Sequence, residues 1–301
     1  AFLIEECHKR NMEFHAWLNP YRASTAGNTR FADSHIYNKH PEWFVTYNKQ
    51  ILFDPGLPES RQFICRVVRD IVSRYDVDAI HMDDYFYPYP VAGISFPDDK
   101  SFQRYGLNKG YKASQRADWR RENVNKLVRE IKRTILLSKP WVRFGISPFG
   151  IYRNKKSTPD GSGSNTNGLQ NYDDLYADVT HWVKEGWIDY NIPQIYWEIG
   201  HPAADYITLI QWWNKNATRE GTHLYIGQDV ARTMKADQLT RKMLYERSLS
   251  KVKGNCFWPA NEILWNNKGV ADSLKRNYHR YPALIPAYTH LHNRAPQEVK
   301  K

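Results

Sequence analysis

Short apolar segments alternate with longer amphipathic segments along the whole chain. The short segments have the length and composition of strands, and they fall at residues 12–19, 79–85, 142–149, 190–198, 223–230 and 255–260. The longer segments have the composition and length of helices, and they fall at residues 1–10, 59–74, 118–137, 172–184, 202–217 and 236–251. Strands that alternate with helices in this way are typical of repeated βα units around a parallel sheet.

The number of predicted strands separates two architectures. A closed (β/α)8 barrel has eight strands, whereas this chain shows six and begins with a helix. We therefore predict an α/β fold of the (β/α)8 TIM type over residues 1–279, truncated at its N-terminus so that about six βα units are present. An open six-stranded α/β sheet is the alternative, but no glycine-rich phosphate loop follows any strand to support a nucleotide-binding fold.

The two ends of the chain add expectations of their own. The chain starts without a signal peptide, and we expect its first two barrel strands to have been trimmed away. Residues 280–301 contain prolines and are predicted to be a tail or linker toward a further C-terminal region. A barrel without two strands exposes sheet edges, so we expect a partly filled barrel or self-association through those edges.

Side-chain parity predicts which residues face the barrel axis, because successive side chains on a strand point to opposite sides. In the strand at 79–85, Ile80 and Met82 suit the helix side, so His81 and Asp83 should face the axis. Asp84 is then expected to point away or into the following loop. The same rule turns Glu198 inward near the end of the strand at 190–198.

These inward positions predict a site at the C-terminal mouth of the barrel, where active sites of this fold lie. Asp83 and Glu198 are the candidate catalytic residues, because glycosidic bond cleavage needs one acid for the leaving oxygen and one carboxylate to attack or to activate water. The candidate substrate contacts around them are Asn19, Tyr21, Arg22, His81, Asp84, Tyr85, Tyr87, Ser147, Tyr196, Trp197 and Asp229. A strand-end cap with a salt-bridge partner is the structural alternative for Asp83 and Asp84.

Composition and charge bear on the partner. The chain has 11 Trp, 20 Tyr and 12 Phe, many of them beside Pro, Asn or Gly, which favours a surface on which sugar rings stack. Its net charge of +11 suits an acidic partner. The basic residues alternate with acids along presumed helix faces, however, so a polysaccharide partner is favoured over nucleic acid. No stretch of eighteen apolar residues is present that would span a membrane.

No cofactor and no metal are expected. The three cysteines, Cys7, Cys65 and Cys256, show no CxxC spacing, and the histidines show neither HxH nor HExxH. A metal site assembled in space from His15, His81 and Asp83 is retained as a minor alternative.

Several sequence blocks resemble a known family. They are FHAWLNPYRAS at 14–24, IHMDDYFYP at 80–88, FGISPFGIYRN at 144–154, YADVTHWVKEGWIDYNIPQIYW at 176–197 and PALIP at 282–286. Together they span nearly the whole chain in the order found in glycosyl-hydrolase-like family ten, a bacterial family. The family's acidic strand end falls on Asp83 and Asp84, and its QIYW strand end precedes Glu198.

This resemblance implies an exported glycosidase on the cell envelope or periplasmic side. The family includes an envelope lipoprotein that acts on peptidoglycan strands stripped of their peptides. We therefore predict a glycoside hydrolase for a bacterial envelope glycan, with peptide-free peptidoglycan as the candidate substrate. The alternative is a non-catalytic glycan-binding barrel that uses the aromatic mouth alone.

Overall fold

The computed structural model describes residues 1–25 and 30–288. Its strands are β1 His15–Leu18, β2 Phe44–Tyr47, β3 Gln50–Phe53, β4 Ala79–Asp83, β5 Arg143–Ser147, β6 Tyr190–Asn191, β7 His223–Asp229 and β8 Val252–Trp258. Its α-helices are α1 Phe2–His8, α2 Ile36–Lys39, α3 Pro58–Arg74, α4 Asp99–Tyr105, α5 Arg116–Ser138, α6 Asn171–Asp174, α7 Val179–Glu185, α8 Tyr206–Asn216, α9 Val230–Lys235, α10 Leu239–Arg247, α11 Ala260–Leu264 and α12 Val270–Ser273.

Six strands form one sheet in the order β1-β4-β5-β6-β7-β8. Every neighbouring pair in it is parallel. The spatial order follows the chain order with helices in between, as in the wall of a TIM-type barrel. The predicted α/β fold with six βα units is thereby confirmed. Within residues 1–25 and 30–288, β1 and β8 are the two edges of this sheet, and two further strands before β1 stay a prediction.

A hairpin between β1 and α3 was missed by the sequence analysis. Strands β2 and β3 pair antiparallel, with Phe44 opposite Phe53. The backbone N–H of Phe53 donates to the carbonyl of Tyr21 at 2.8 Å, so the segment after β1 lies along the hairpin. Four-residue strands give too short an alternation to be recognised in a segment rich in polar and aromatic residues.

The parity predicted for β4 is confirmed by burial. Ile80 and Met82 are fully buried in the core cluster, whereas His81 and Asp83 are only half-buried. Helix α3, which starts with Pro58 in its first turn, turns a stripe of buried residues into the same core cluster. That stripe consists of Ile64, Cys65, Val68 and Val72.

The inner side of the sheet is closed below the mouth by a layer built around Tyr190. Its hydroxyl contacts Nδ1 of His15 at 2.9 Å and Nδ1 of His81 at 3.1 Å. The ring lies across β5 at Gly145, where an added Cβ would come within 1.9 Å of it. Burial, and secondarily the charge of His15, lower the pKa of His81 to about 3, so this histidine is neutral.

The remaining expectations concern metals, membranes and the tail. No group of three or more His, Cys, Asp and Glu side chains within the described parts of the chain could hold a metal ion. None of the helices described is long and apolar enough to cross a membrane. Tyr288 is buried and stacks on His223 with ring centroids 3.9 Å apart, so the tail contacts the barrel at this residue, whereas Tyr281 and Leu284 before it are exposed. The linker predicted at 280–301 stays a prediction, and its part at 289–301 lies outside the described residues.

Candidate active site

Asp83 ends β4 at the C-terminal mouth. It is held there by the side-chain amide of Gln194, which lies in the segment that follows β6. The side-chain nitrogen of Gln194 donates to Oδ1 of Asp83 at 2.5 Å and to the carbonyl of Ser147 at 2.9 Å. Ser147 is the register partner of Asp83 on β5. Burial raises the pKa of Asp83, while the backbone N–H of Asp84, Gln194 and the charge of Arg22 oppose the rise.

Asp84 lies beside Asp83 and turns into the following loop, which is the second of the two directions expected for it. It is only 3% exposed, and the hydroxyl of Tyr89 donates to its Oδ2 at 2.5 Å. Burial and then the negative charge of Asp83 raise the pKa of Asp84 to about 7. The chain leaves the strand at this point, so parity no longer applies. The mouth therefore contains two neighbouring carboxyls of different basicity, an arrangement suited to proton transfer at neutral pH.

Aromatic residues from the loop after β4 form one wall of the mouth. Tyr85 and Tyr89 stack with centroids 6.2 Å apart. The guanidinium of Arg22 lies 4.4 Å from the centroid of the Tyr85 ring. Tyr89 also meets Phe149 edge-on at 5.9 Å. These contacts fix the rings beside the two carboxyls, where flat faces can receive sugar rings.

A second aromatic wall comes from the segment that follows β6 and from the end of β8. Tyr196 stacks on Trp258 with centroids 5.8 Å apart and an interplanar angle of 14°. Trp258 is 53% exposed, so part of its ring is free to meet a ligand. Burial and then the charge of Asp83 raise the pKa of Tyr196, which places this pair near Asp83. Trp258 was not among the predicted substrate contacts. A strand was predicted at 255–260, but nothing in its sequence indicates to which side the Trp258 ring points.

Glu198 lies in the turn that follows β6, with its side chain half-buried. The backbone carbonyl of Glu198 accepts from the N–H of Tyr206 at 3.3 Å and from that of His201 at 3.2 Å. Its charge acts on Lys242, a buried lysine beneath the turn. Its role as an acid stays a prediction.

The other predicted contacts divide into two groups. Two of them have side chains that a ligand could reach or satisfy. Trp197 is half-buried and meets Phe149 edge-on with ring centroids 5.5 Å apart. Asn19 follows β1, and its side-chain oxygen is buried and has no hydrogen-bond partner among the described residues. Four lie in packed positions instead. Tyr21 and Tyr87 are fully buried, His81 lies below the mouth against Tyr190, and Asp229 caps α9 by accepting from the N–H of Arg232 at 2.9 Å.

Comparison with known proteins identifies relatives over the whole chain. The family model described as Glycosyl hydrolase-like 10 matches residues 1–243. The chain is 44% identical to "Glycosyl hydrolase YngK" of Bacillus subtilis (strain 168), over 100% of this chain and 60% of that protein. It is 41% identical to "Glycosyl hydrolase DigH" of Escherichia coli (strain K12), over 75% of this chain and 52% of that protein. The chain thus spans less than two thirds of the length of either relative.

Two solved structures align with most of the chain at TM-scores below 0.5. The glycoside hydrolase domain of PgaB (BpsB) from Bordetella bronchiseptica has a TM-score of 0.47 at 12% identity, over 88% of this chain and 75% of that one. Alpha-L-fucosidase isoenzyme 2 from Paenibacillus thiaminolyticus has a TM-score of 0.49 at 11% identity, over 84% of this chain and 35% of that one. The match of the family model over residues 1–243 shows that the chain belongs to the Glycosyl hydrolase-like 10 family.

Proposed function

We propose that this chain is the catalytic region of a glycoside hydrolase that cleaves O-glycosyl bonds. The observation that carries the proposal is the carboxyl pair of Asp83 and Asp84, held at the barrel mouth by Gln194 and Tyr89 between two aromatic walls. Membership of the Glycosyl hydrolase-like 10 family supports the same reaction class. Burying a carboxyl costs free energy, and a site that only binds neutral sugars does not need Asp84 buried beside a second carboxyl.

Asp83 is proposed as the nucleophile or base. Gln194 holds one of its oxygens, which leaves the second oxygen to attack the anomeric carbon or to activate water. Glu198 is proposed as the general acid that protonates the leaving oxygen. The separation of their carboxyls in a substrate complex reports the mechanism, at ~5–5.5 Å for a retaining enzyme and ~6.5–9.5 Å for an inverting one.

A bacterial envelope glycan is the proposed substrate, with peptide-free peptidoglycan strands as the specific candidate. The aromatic walls suit a sugar polymer, and the net charge of +11 favours an anionic envelope surface. The family resemblance supports the further proposal of an exported enzyme on the envelope or periplasmic side, with a lipoprotein anchor in the whole protein. We also propose self-association through the edge strands β1 and β8, since unpaired edges readily pair.

The test is the release of reducing ends, measured by mass spectrometry, from peptide-free and from intact peptidoglycan. Full-length protein should release product from the peptide-free strands, and Asp83→Asn and Glu198→Gln should each abolish it. Glu185→Gln, on an exposed position of α7, is the matched control and should keep full activity. Equal release by Asp83→Asn would overturn the catalytic assignment. Absence of product from either glycan, combined with binding on a sugar array, would support the glycan-binding barrel instead.

A further inference from the structure

The turn that carries Glu198 is fastened to α10 through the backbone of its two neighbours. Nζ of Lys242 donates to the carbonyl of Trp197 at 2.9 Å. The side-chain oxygen of Gln238 accepts from the N–H of Ile199 at 2.7 Å, and its nitrogen donates to the carbonyl of Ile199 at 3.2 Å. Gln238 is the N-cap of α10 and lies four residues before Lys242, so both side chains leave the same face of the helix.

Lys242 is an unusual residue to find in this place. It is completely buried, and lysine is almost never fully buried without a partner of opposite charge. No salt bridge within 4.0 Å includes it among the described residues. Its ammonium group donates to Oγ1 of Thr233 at 3.1 Å and lies 4.4 Å from the ring centroid of Tyr206. An apolar residue would fill this space at lower cost, so stability alone does not account for the lysine.

The charges that face Lys242 come from several elements. Burial lowers its pKa to about 8, against the opposing charges of Glu198, Glu246 and Asp229. Of these three carboxylates, Glu198, the proposed acid, has the largest opposing effect on the pKa of Lys242. Lys242 therefore holds the backbone carbonyl of Trp197, the residue before Glu198, and its charge also attracts the Glu198 carboxylate.

The consequence for the turn is that three consecutive residues have their backbone groups fixed. The Trp197 carbonyl is held by Lys242, the Glu198 carbonyl accepts from the N–H of Tyr206, and both polar groups of Ile199 are held by Gln238. We propose that Lys242 and Gln238 are positioning residues for Glu198, which fix the turn so that its carboxyl is presented at the barrel mouth. This inference rests on the proposed role of Glu198 as the acid.

The two positions can be tested separately. Lys242→Met keeps the length of the side chain and removes its charge and its donors, and Gln238→Met removes both bonds to Ile199. We expect kcat on the glycan to fall about 10²-fold in Lys242→Met, since small displacements of a catalytic group have effects of this size, with KM within about twofold. Gln238→Glu keeps the acceptor for the Ile199 N–H but loses the donor to the Ile199 carbonyl, so it should recover part of the kcat that Gln238→Met loses.

Arg241→Met is the matched control, because Arg241 is the exposed neighbour of Lys242 on α10. It should leave kcat and KM unchanged. Melting temperatures of all variants identify any that fail to fold. If Lys242→Met fails to fold, the pair Gln238→Met and Gln238→Glu decides the question.

A change of leaving group separates positioning of the acid from general damage to the site. An aryl glycoside of the sugar at the cleaved bond, with a leaving group that needs no proton, does not depend on a general acid. The positioning variants and Glu198→Gln should therefore lose turnover on the glycan and retain most of it on the aryl glycoside. Asp83→Asn should lose both.

The outcomes distinguish this inference from the proposed function. If Glu198→Gln shows the leaving-group pattern but folded Lys242→Met and Gln238→Met turn over the glycan like the unmodified protein, the positioning role is overturned and the acid remains. If the positioning variants lose turnover on the glycan and on the aryl glycoside equally, Lys242 and Gln238 support the structure of the site as a whole and do not position the acid. That result also overturns the inference. If Glu198→Gln keeps full turnover on the glycan, the proposed acid is wrong and the inference falls with it.

Discussion

The side-chain amide of Gln194 donates to the carboxylate of Asp83 at 2.5 Å and, with the same nitrogen, to the carbonyl of Ser147 on the strand between them. One amide group thus ties together the C-terminal ends of three neighbouring strands. The bond favours the ionised form of Asp83 against the burial that raises its pKa.

Removal of the Gln194 amide should raise the pKa of Asp83. Gln194→Leu takes away a donor to a charged acceptor, a bond worth about 1.5–3 kcal/mol, so kcat/KM should fall about 10- to 100-fold. Because Asp83 has to be ionised to act, the acidic limb of the pH–rate profile should also move to higher pH. If the acidic limb of the pH–rate profile is unchanged in a folded Gln194→Leu variant, Gln194 does not control the ionisation of Asp83.

Asp84 should make the protein less stable as the pH rises. Its pKa of about 7 in the folded protein exceeds the value of ~3.9 in an unfolded chain. The folded state therefore binds more protons between about pH 4 and 7, and the free energy of unfolding falls across that range by a few kcal/mol at most. Asp84→Asn is neutral throughout and should reduce this fall.

Urea denaturation at pH 4.5 and pH 8 measures the Asp84 contribution. The difference in unfolding free energy between the two pH values should be smaller in Asp84→Asn than in the unmodified protein. Asp33→Asn changes an exposed acid and is the control. A difference that is equal in all three proteins would show that Asp84 does not titrate in this range.

Trp258 should contribute to substrate affinity without contributing to stability. Its ring is half-exposed and stacks on Tyr196 beside Asp83. Trp258→Ala should raise KM about 2- to 10-fold, the effect of losing one aromatic contact of about 0.5–1.5 kcal/mol, with kcat little changed. Trp141→Ala removes a similarly exposed ring that precedes β5, at the opposite end of the sheet, and should leave KM unchanged.

A side chain at Gly145 should disrupt the inner layer of the barrel. A Cβ there would come within 1.9 Å of the Tyr190 ring, which is itself fixed by the contacts of its hydroxyl with His15 and His81. Gly145→Ala should cost about 1–3 kcal/mol or more in unfolding free energy. Gly150→Ala tests a second close contact near the mouth, since a Cβ at Gly150 would come within 2.4 Å of the backbone oxygen of Gln194. A melting temperature unchanged in Gly145→Ala would contradict the packing described.

The sequence predicts best where one local rule controls the structure. The alternation of Ile80, His81, Met82 and Asp83 was enough to place Asp83 at the mouth, since β4 is regular and one of its sides is buried. The neighbour Asp84 lies just beyond the strand, where direction depends on Tyr89 and on the folded loop. Trp258 and the hairpin partner strands depend on contacts between distant segments, which a periodic pattern does not encode.

The proximity of Gly145 and Tyr190 also has an evolutionary consequence. The ring at position 190 occupies the volume that a side chain at position 145 would need, so the two positions share one fixed space. Members of the family should therefore vary at these positions as a pair, with a bulkier residue at one accompanied by a smaller residue at the other. A tyrosine at position 190 together with any side chain beyond hydrogen at position 145 should be rare among its relatives, unless the two strands move apart.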